Sequence, residues 1–149
     1  MSKVSVKGVL IGGVVEVVTS VVLGVPFALY AMFKLDLSNI PKDRVESAIS
    51  AALHANVPLY LGQTLVGLAC SVLGGYVAAW LAKHDELLNG GLSSFLCVAL
   101  DIYTFASGND SNTLWVQILL IVASPLMALL GGDQMRRRRQ RSTTHGISL

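Results

Sequence analysis

Two carboxylates, Glu16 and Asp101, stand inside long apolar stretches of the 149-residue chain, and no lysine or arginine lies in those stretches to balance them. An ionised carboxylate in hydrocarbon is costly, so each must face a protein interior or water, carry a proton, or find a partner. The chemistry open to such a group is proton or cation binding. Gln63 and Gln117 carry amides within two further apolar stretches, and these four side chains form the candidate intramembrane polar site. A purely structural role competes with that reading: Asp101 protonated, hydrogen-bonded to Gln63 or a neighbouring hydroxyl, and serving only to join helices. Pairing with a basic residue on a partner subunit is a third account of the missing countercharge.

Other chemistries find little footing. His54, His84 and His145 are scattered over a loop, a turn and the tail, so spacing builds no metal-ligand cluster from them. The glycine pairs at 12–13, 74–75, 90–91 and 131–132 match no phosphate-binding loop. Cys70 and Cys97 lie in apolar stretches and read as small packing residues without a disulfide. With no paired catalytic constellation, the expectation is a protein that is not an enzyme and uses no metal or cofactor.

The elements that position the four polar residues follow from hydropathy. The chain is 53% hydrophobic and 13% charged, where a water-soluble domain carries about 25% charged residues, and its mean hydropathy is +0.63. About 20 helical residues cross the hydrocarbon of a bilayer. Spans are expected at about 8–33, 57–82, 87–106 and 113–132, giving an all-α, polytopic transmembrane bundle of four helices in residues 1–135 and a basic tail at 136–149. Lys3 and Lys7 before the first span resemble the start of a signal peptide, but the apolar run is too long and contains Glu16, so it is expected to be retained. The loop from Lys34 to Asn56 places Val45, Ala48, Ile49, Ala52 and Leu53 at helical spacing, which predicts a short amphipathic helix with a start signal at Ser38, Asn39 and Pro41. The short Lys83-His84-Asp85-Glu86 connection makes spans two and three an antiparallel hairpin, and 107–112 is a polar turn.

Basic residues set the orientation. Lys3, Lys7, Lys83 and the five arginines Arg136, Arg137, Arg138, Arg139 and Arg141 fall on one side, against Lys34, Lys42 and Arg44 on the other. The richer side is expected in the cytoplasm, with both termini, and the amphipathic helix in the first extracytoplasmic loop. An arginine run directly after a hydrophobic span reads as an anchor for lipid headgroups or for topology, not as a nucleic-acid site. Tyr30, Phe33, Tyr60, Tyr103 and Trp115 would then gather at the outer interface, with Tyr76 and Trp80 at the inner one.

Small residues at steps of four, namely Gly67-Ser71-Gly75-Ala79 and Gly74-Ala78-Ala82 on span two, and Gly8-Gly12 and Ser20-Gly24 on span one, predict helix contact faces. Weakly polar stripes run through Gly12, Glu16 and Thr19; Gln63, Gly67, Cys70 and Gly74; Gly90, Ser94, Cys97, Asp101 and Thr104; and Gln117, Ser124, Ala128 and Gly131. Counting at 1.5 Å per residue, Gln63, Asp101 and Gln117 fall in the outer part of the bilayer and Glu16 deeper. The expectation is an outward-opening polar pocket with Asp101 as the cation or proton site and Glu16 further along a path. Pro26 and Pro125 lie within spans one and four as kink points, either static or hinging.

The stretches Lys7-Gly-Val-Leu-Ile-Gly-Gly13 and Gly74-Gly-Tyr-Val-Ala-Ala-Trp-Leu-Ala82, followed by Leu88-Asn-Gly-Gly-Leu92, resemble those of small four-span prokaryotic membrane proteins of unknown function. The resemblance implies the same topology and supplies no activity, ligand or catalytic residue. The functional expectation is a multi-pass protein of the plasma (inner) membrane, acting as a scaffold or accessory subunit of a membrane complex. The alternative is a small homo-oligomeric ion- or proton-linked transporter or channel using Asp101. Its partners would be membrane lipids, with a membrane-protein partner or a second copy of itself, and no nucleic acid.

Overall fold

In the computed structural model, residues 4–35, 40–106 and 114–145 are described. Lys3, the Ser38–Asn39 start signal, the 107–112 turn and the last four residues lie outside them. The described residues form helices joined by short turns, without strands. Helix α1 covers Val6–Lys34, α2 Val45–Ala55, α3 Val57–Ala82, α4 Glu86–Ser93, α5 Phe95–Ala106 and α6 Leu114–His145. Four helices are long and apolar enough to cross a membrane, counting α4 and α5 as one.

Local sequence explains most of the boundaries. The Ser5 hydroxyl caps α1 by accepting from the Gly8 N–H at 3.3 Å, the usual task of an N-cap serine. Asn56 ends α2 and caps α3, its Oδ1 accepting from the Leu59 N–H at 3.4 Å. Pro58 sits in the first turn of α3, where a missing N–H removes no helical bond. Lys83 and Asp85 adopt left-handed conformations with φ of 59° and 44°, which turn the chain sharply into α4.

The single span expected at 87–106 is interrupted at Ser94. Ser93 Oγ donates back to the Gly90 carbonyl at 2.7 Å and Ser94 Oγ to the Gly91 carbonyl at 2.9 Å. Such back-bonding competes with the helical ladder and bends it, a local effect that hydropathy does not register. By contrast, α1 and α6 run as single helices through Pro26 and Pro125. The last helix also continues across residue 136, so the arginines extend it as a helical rod to His145.

Helix α3 is the centre of the bundle, packed along α1 on one side and α6 on the other, with α4 closing against α3 and α6. The interior is unlike that of a water-soluble domain. Its largest fully buried side chains are Glu16, Asn89, Cys70, Ser93 and Ser94, while Val, Leu, Phe and Trp side chains point outward. That inversion is what lipid as a solvent favours, because tails gain nothing by expelling a leucine and helices associate through close backbone approach. A Cβ on Gly12 would fall 2.6 Å from the Gly74 carbonyl oxygen, and one on Gly75 would collide with the Ala128 backbone. Gly24 and Gly67 behave differently: nothing lies within 4 Å of a Cβ built on either, so the expected small-residue contact faces do not extend to these two glycines.

These contacts make the bundle asymmetric along its length. The start of α1, the end of α3, the start of α4 and the arginine-bearing part of α6 meet at one end, here termed the basic end. Asn89 knots that end. It is fully buried, accepts from the Ser5 N–H at 2.7 Å, and donates to the carbonyls of His84 and Asp85 at 2.9 and 3.0 Å. The buried glycines and alanines of α1, α3 and α6 concentrate in the half toward this end, and the half toward α2 is more open.

Candidate functional site

Glu16 faces inward because Gly8, Gly12 and Gly13 hold the adjoining turns of α1 against α3 and α4, which leaves a carboxyl projecting between the helices. It is 1% exposed. Oε1 accepts from Ser71 Oγ of α3 at 2.5 Å and from Ser124 Oγ of α6 at 3.3 Å, and the two hydroxyl oxygens are 3.2 Å apart. Each serine has one proton to give, so this three-helix junction satisfies one carboxylate oxygen. Oε2 is buried and has no hydrogen-bond partner. The Cys97 thiol of α5, a weak donor, lies beside the same carboxyl within hydrogen-bonding reach of it.

Oε2 of Glu16 faces Gly74 of α3, and the Glu16 side chain lies at the edge of a cavity of about 420 Å³. Glu16, Ser71 and Ser124 form its floor. Gln63, Thr64 and Asp101 stand on its walls, and His54 and Tyr60 line it toward the α2 end. The rings of these last two lie 4.7 Å apart, and His54 Nδ1 is 2.7 Å from the Ser50 carbonyl oxygen. From Tyr60 to Ser71 the wall of α3 rises roughly 16 Å at the helical repeat. Ser71 itself is roughly 20 Å from the start of α3 and roughly 16 Å from its end, so the polar floor sits near the middle of the bundle. Beyond it the Gly12–Gly74 and Gly75–Ala128 contacts bring backbones together and seal the half toward the basic end.

Of the four candidate residues, Glu16, Gln63 and Asp101 border this one space, and Gln117 does not. Gln117 is buried on α6 and its Nε2 donates to the Asp101 backbone carbonyl at 3.5 Å, tying α6 to α5 beside the cavity. Asp101 is half-buried and lies on the wall, while Glu16 is the more deeply enclosed acid. Ser71 and Ser124 had been visible only as members of small-residue stripes. A serine at helical spacing from glycines carries no mark of the acid it will meet on another helix. The lining residues include two carboxyls and neither lysine nor arginine. Among the described residues no group of three His, Cys, Asp or Glu side chains converges in a way that could hold a metal ion, and Cys70 and Cys97 are both free thiols.

The arginines at the basic end divide by environment. Arg139 pairs with Glu86 at the start of α4, and Arg138 donates to the Tyr76 hydroxyl at 2.8 Å. Arg137 pairs with Asp133 one turn earlier on α6 at 2.6 Å, and Arg136 and Arg141 are exposed. Part of the basic run therefore fastens α6 to the α3–α4 hairpin.

Compared with known proteins, the chain matches no family model, no curated protein and no solved structure. The fold and site define its class only as far as an all-α chain with four helices long and apolar enough to cross a membrane.

Proposed function

We propose that the chain is a small multi-pass protein of the plasma membrane, with both termini in the cytoplasm, that binds a proton or a cation at Glu16 and moves it through the bundle. The observation carrying this reading is the buried Glu16 carboxyl at the base of the cavity, with one oxygen held by two serines and no lysine or arginine among the lining residues. A carboxyl so placed is either neutral or balanced by a cation, since an isolated charge at this depth is strongly disfavoured. Exchange between those two states is the elementary step of proton-linked or cation-linked transport. The cavity would open toward the α2 end, taken as extracytoplasmic because Lys7, Lys83 and the arginines outnumber Lys34, Lys42 and Arg44. Passage to the other side then requires the glycine-packed half to part. The interruption at Ser94 and the proline of α6 are where the flanking helices have incomplete hydrogen-bond ladders.

The test is flux. Purified protein is reconstituted into vesicles with an internal pH dye, and a pH step is applied with charge compensated by potassium and valinomycin. Glu16-dependent dissipation of the gradient, lost in Glu16→Gln and reduced in Asp101→Asn, is expected. Dissipation unchanged in Glu16→Gln contradicts the reading.

A second reading, a scaffold or accessory subunit, is favoured by one observation: α5 contributes no buried residue, and Phe95, Ile102 and Tyr103 on it are exposed. A partner helix seated there would complete the cavity wall. Native mass spectrometry after gentle extraction decides between a stoichiometric second protein, as this reading requires, and a homo-oligomer.

A further inference from the structure

The five arginines after the last span are not equivalent once α6 is folded. Arg137 pairs with Asp133 and Arg139 with Glu86, and Arg136 borders a recess with Asp85 and Glu86 at the start of α4. The carboxylates of the basic end thus stand beside those three. Arg138 and Arg141, three positions apart and so on one face of α6, are exposed. That face looks to α3, because Arg138 donates to the Tyr76 hydroxyl, a neutral acceptor, at 2.8 Å. Among the described residues neither guanidinium has a carboxylate partner. Trp80 follows Tyr76 by one turn on the same face of α3 and is 56% exposed, and the exposed Lys83 ends the helix. This flank of the bundle therefore carries two guanidinium groups and two aromatic rings, with a lysine at its margin.

Depth decides what such a flank meets. About twenty residues of α6 from Leu114 cover the roughly 30 Å of a bilayer's hydrocarbon. Arg138 stands roughly 6 Å beyond that point, within a headgroup layer about 5–7 Å thick. Tyr76 lies roughly 29 Å along α3, at the hydrocarbon edge, and its bond to Arg138 draws the guanidinium back toward the lipid. Tyrosine and tryptophan at this level are the pattern of an interfacial belt.

We infer that Arg138 and Arg141 form a site for the phosphate of an anionic phospholipid, with Tyr76 aiming Arg138 and Trp80 lying against the glycerol and the upper acyl chain. A guanidinium fork takes two phosphate oxygens at once. Anionic lipid is selected over zwitterionic lipid because a choline group adds an ammonium charge to a flank that already holds Arg138, Arg141 and Lys83. A soluble anion is the poorer occupant, since it has no chain to cover the exposed Trp80 ring. The site lies at the end of the bundle away from the Glu16 cavity and stands independently of the exchange reading.

The experiment titrates the full chain in detergent micelles with phosphatidylglycerol or phosphatidylcholine and reads bound lipid by native mass spectrometry. Phosphatidylglycerol is expected to bind at least about 10-fold more tightly. Arg138→Gln/Arg141→Gln should weaken it by about 30-fold, the scale for two basic residues at an anionic surface. Tyr76→Phe keeps every charge and loses only the hydroxyl that aims Arg138, so it should weaken binding by a smaller factor. The charge-matched variant Arg136→Gln/Arg137→Gln should cost no more than about 3-fold in 0.15 M salt, where fields are screened beyond about 8 Å. Equal affinity for the two lipids, unchanged binding by Arg138→Gln/Arg141→Gln, or an equal loss in the charge-matched variant overturns the inference. Displacement of phosphatidylglycerol by equimolar glycerol 3-phosphate or oligoglutamate also overturns it, by assigning the flank to a soluble anion.

Discussion

Ser71 on α3 donates to Glu16 Oε1 on α1 across 2.5 Å, joining two helices by a buried bond between a hydroxyl and an acid near the middle of the bundle. Ser124 reaches the same oxygen from α6 over the longer distance of 3.3 Å. Removing either donor strands part of a buried acceptor, and the shorter bond should matter more.

Ser71→Ala is therefore expected to lower stability by about 1–3 kcal/mol, the scale for a buried polar group deprived of its partner, with Ser124→Ala losing less. Unfolding in mixed detergent micelles, followed by circular dichroism, provides the comparison. Equal stability of Ser71→Ala and wild type would show that the acid does not depend on this bond.

Glycines with the same residue type but different surroundings should respond in opposite ways. Gly75→Val drives a branched side chain into the Ala128 backbone and should prevent the native bundle or destabilise it by about 3 kcal/mol or more. Gly24→Val meets open space and should leave the unfolding midpoint near that of wild type. Sensitivity at Gly24 comparable to that at Gly75 would contradict the packing described.

The turn between α3 and α4 holds Lys83 at φ 59°, a conformation that disfavours residues with a Cβ. Lys83→Gly is expected to raise stability by about 1 kcal/mol in the same unfolding assay. A decrease would mean that the lysine side chain contributes more than the relieved backbone.

The ion pairs at the basic end should separate by burial. Arg137 is 72% exposed in its pair with Asp133, one turn away on α6, so Arg137→Gln should cost no more than about 0.5 kcal/mol. Arg139 is 34% exposed and its partner Glu86 15%, and the pair ties α6 to α4. Arg139→Gln should be the more destabilising, with a difference that shrinks less on adding salt. Unfolding curves at low and high salt check both statements.

Helix positions were legible because long apolar runs and turn signals are local: the end of the loop at Asn56 and the Lys83-His84-Asp85-Glu86 turn mark boundaries within the chain, whereas the Ser5 cap of α1 was not read. The interruption at Ser94 was not, since it arises from hydroxyls bonding back to carbonyls within a run that remains hydrophobic. Glu16, Gln63 and Asp101 stood out by charge or polarity in apolar surroundings, and they share one cavity. Their ranking was less visible. Counting along the spans placed Glu16 deeper than Asp101, but its enclosure, against the half-buried Asp101, depends on which helices the glycines of α1 bring together. Asn89 carried no mark of its role as a knot, since its partner Ser5 lies 84 positions away in the chain.

The most direct test of Glu16 as an exchange site is the decay of an imposed pH gradient in vesicles holding wild type or Glu16→Gln. The account predicts faster decay with wild type than in protein-free vesicles, and loss of that excess in Glu16→Gln. Equal decay with the two proteins, or none beyond protein-free vesicles with wild type, would contradict it.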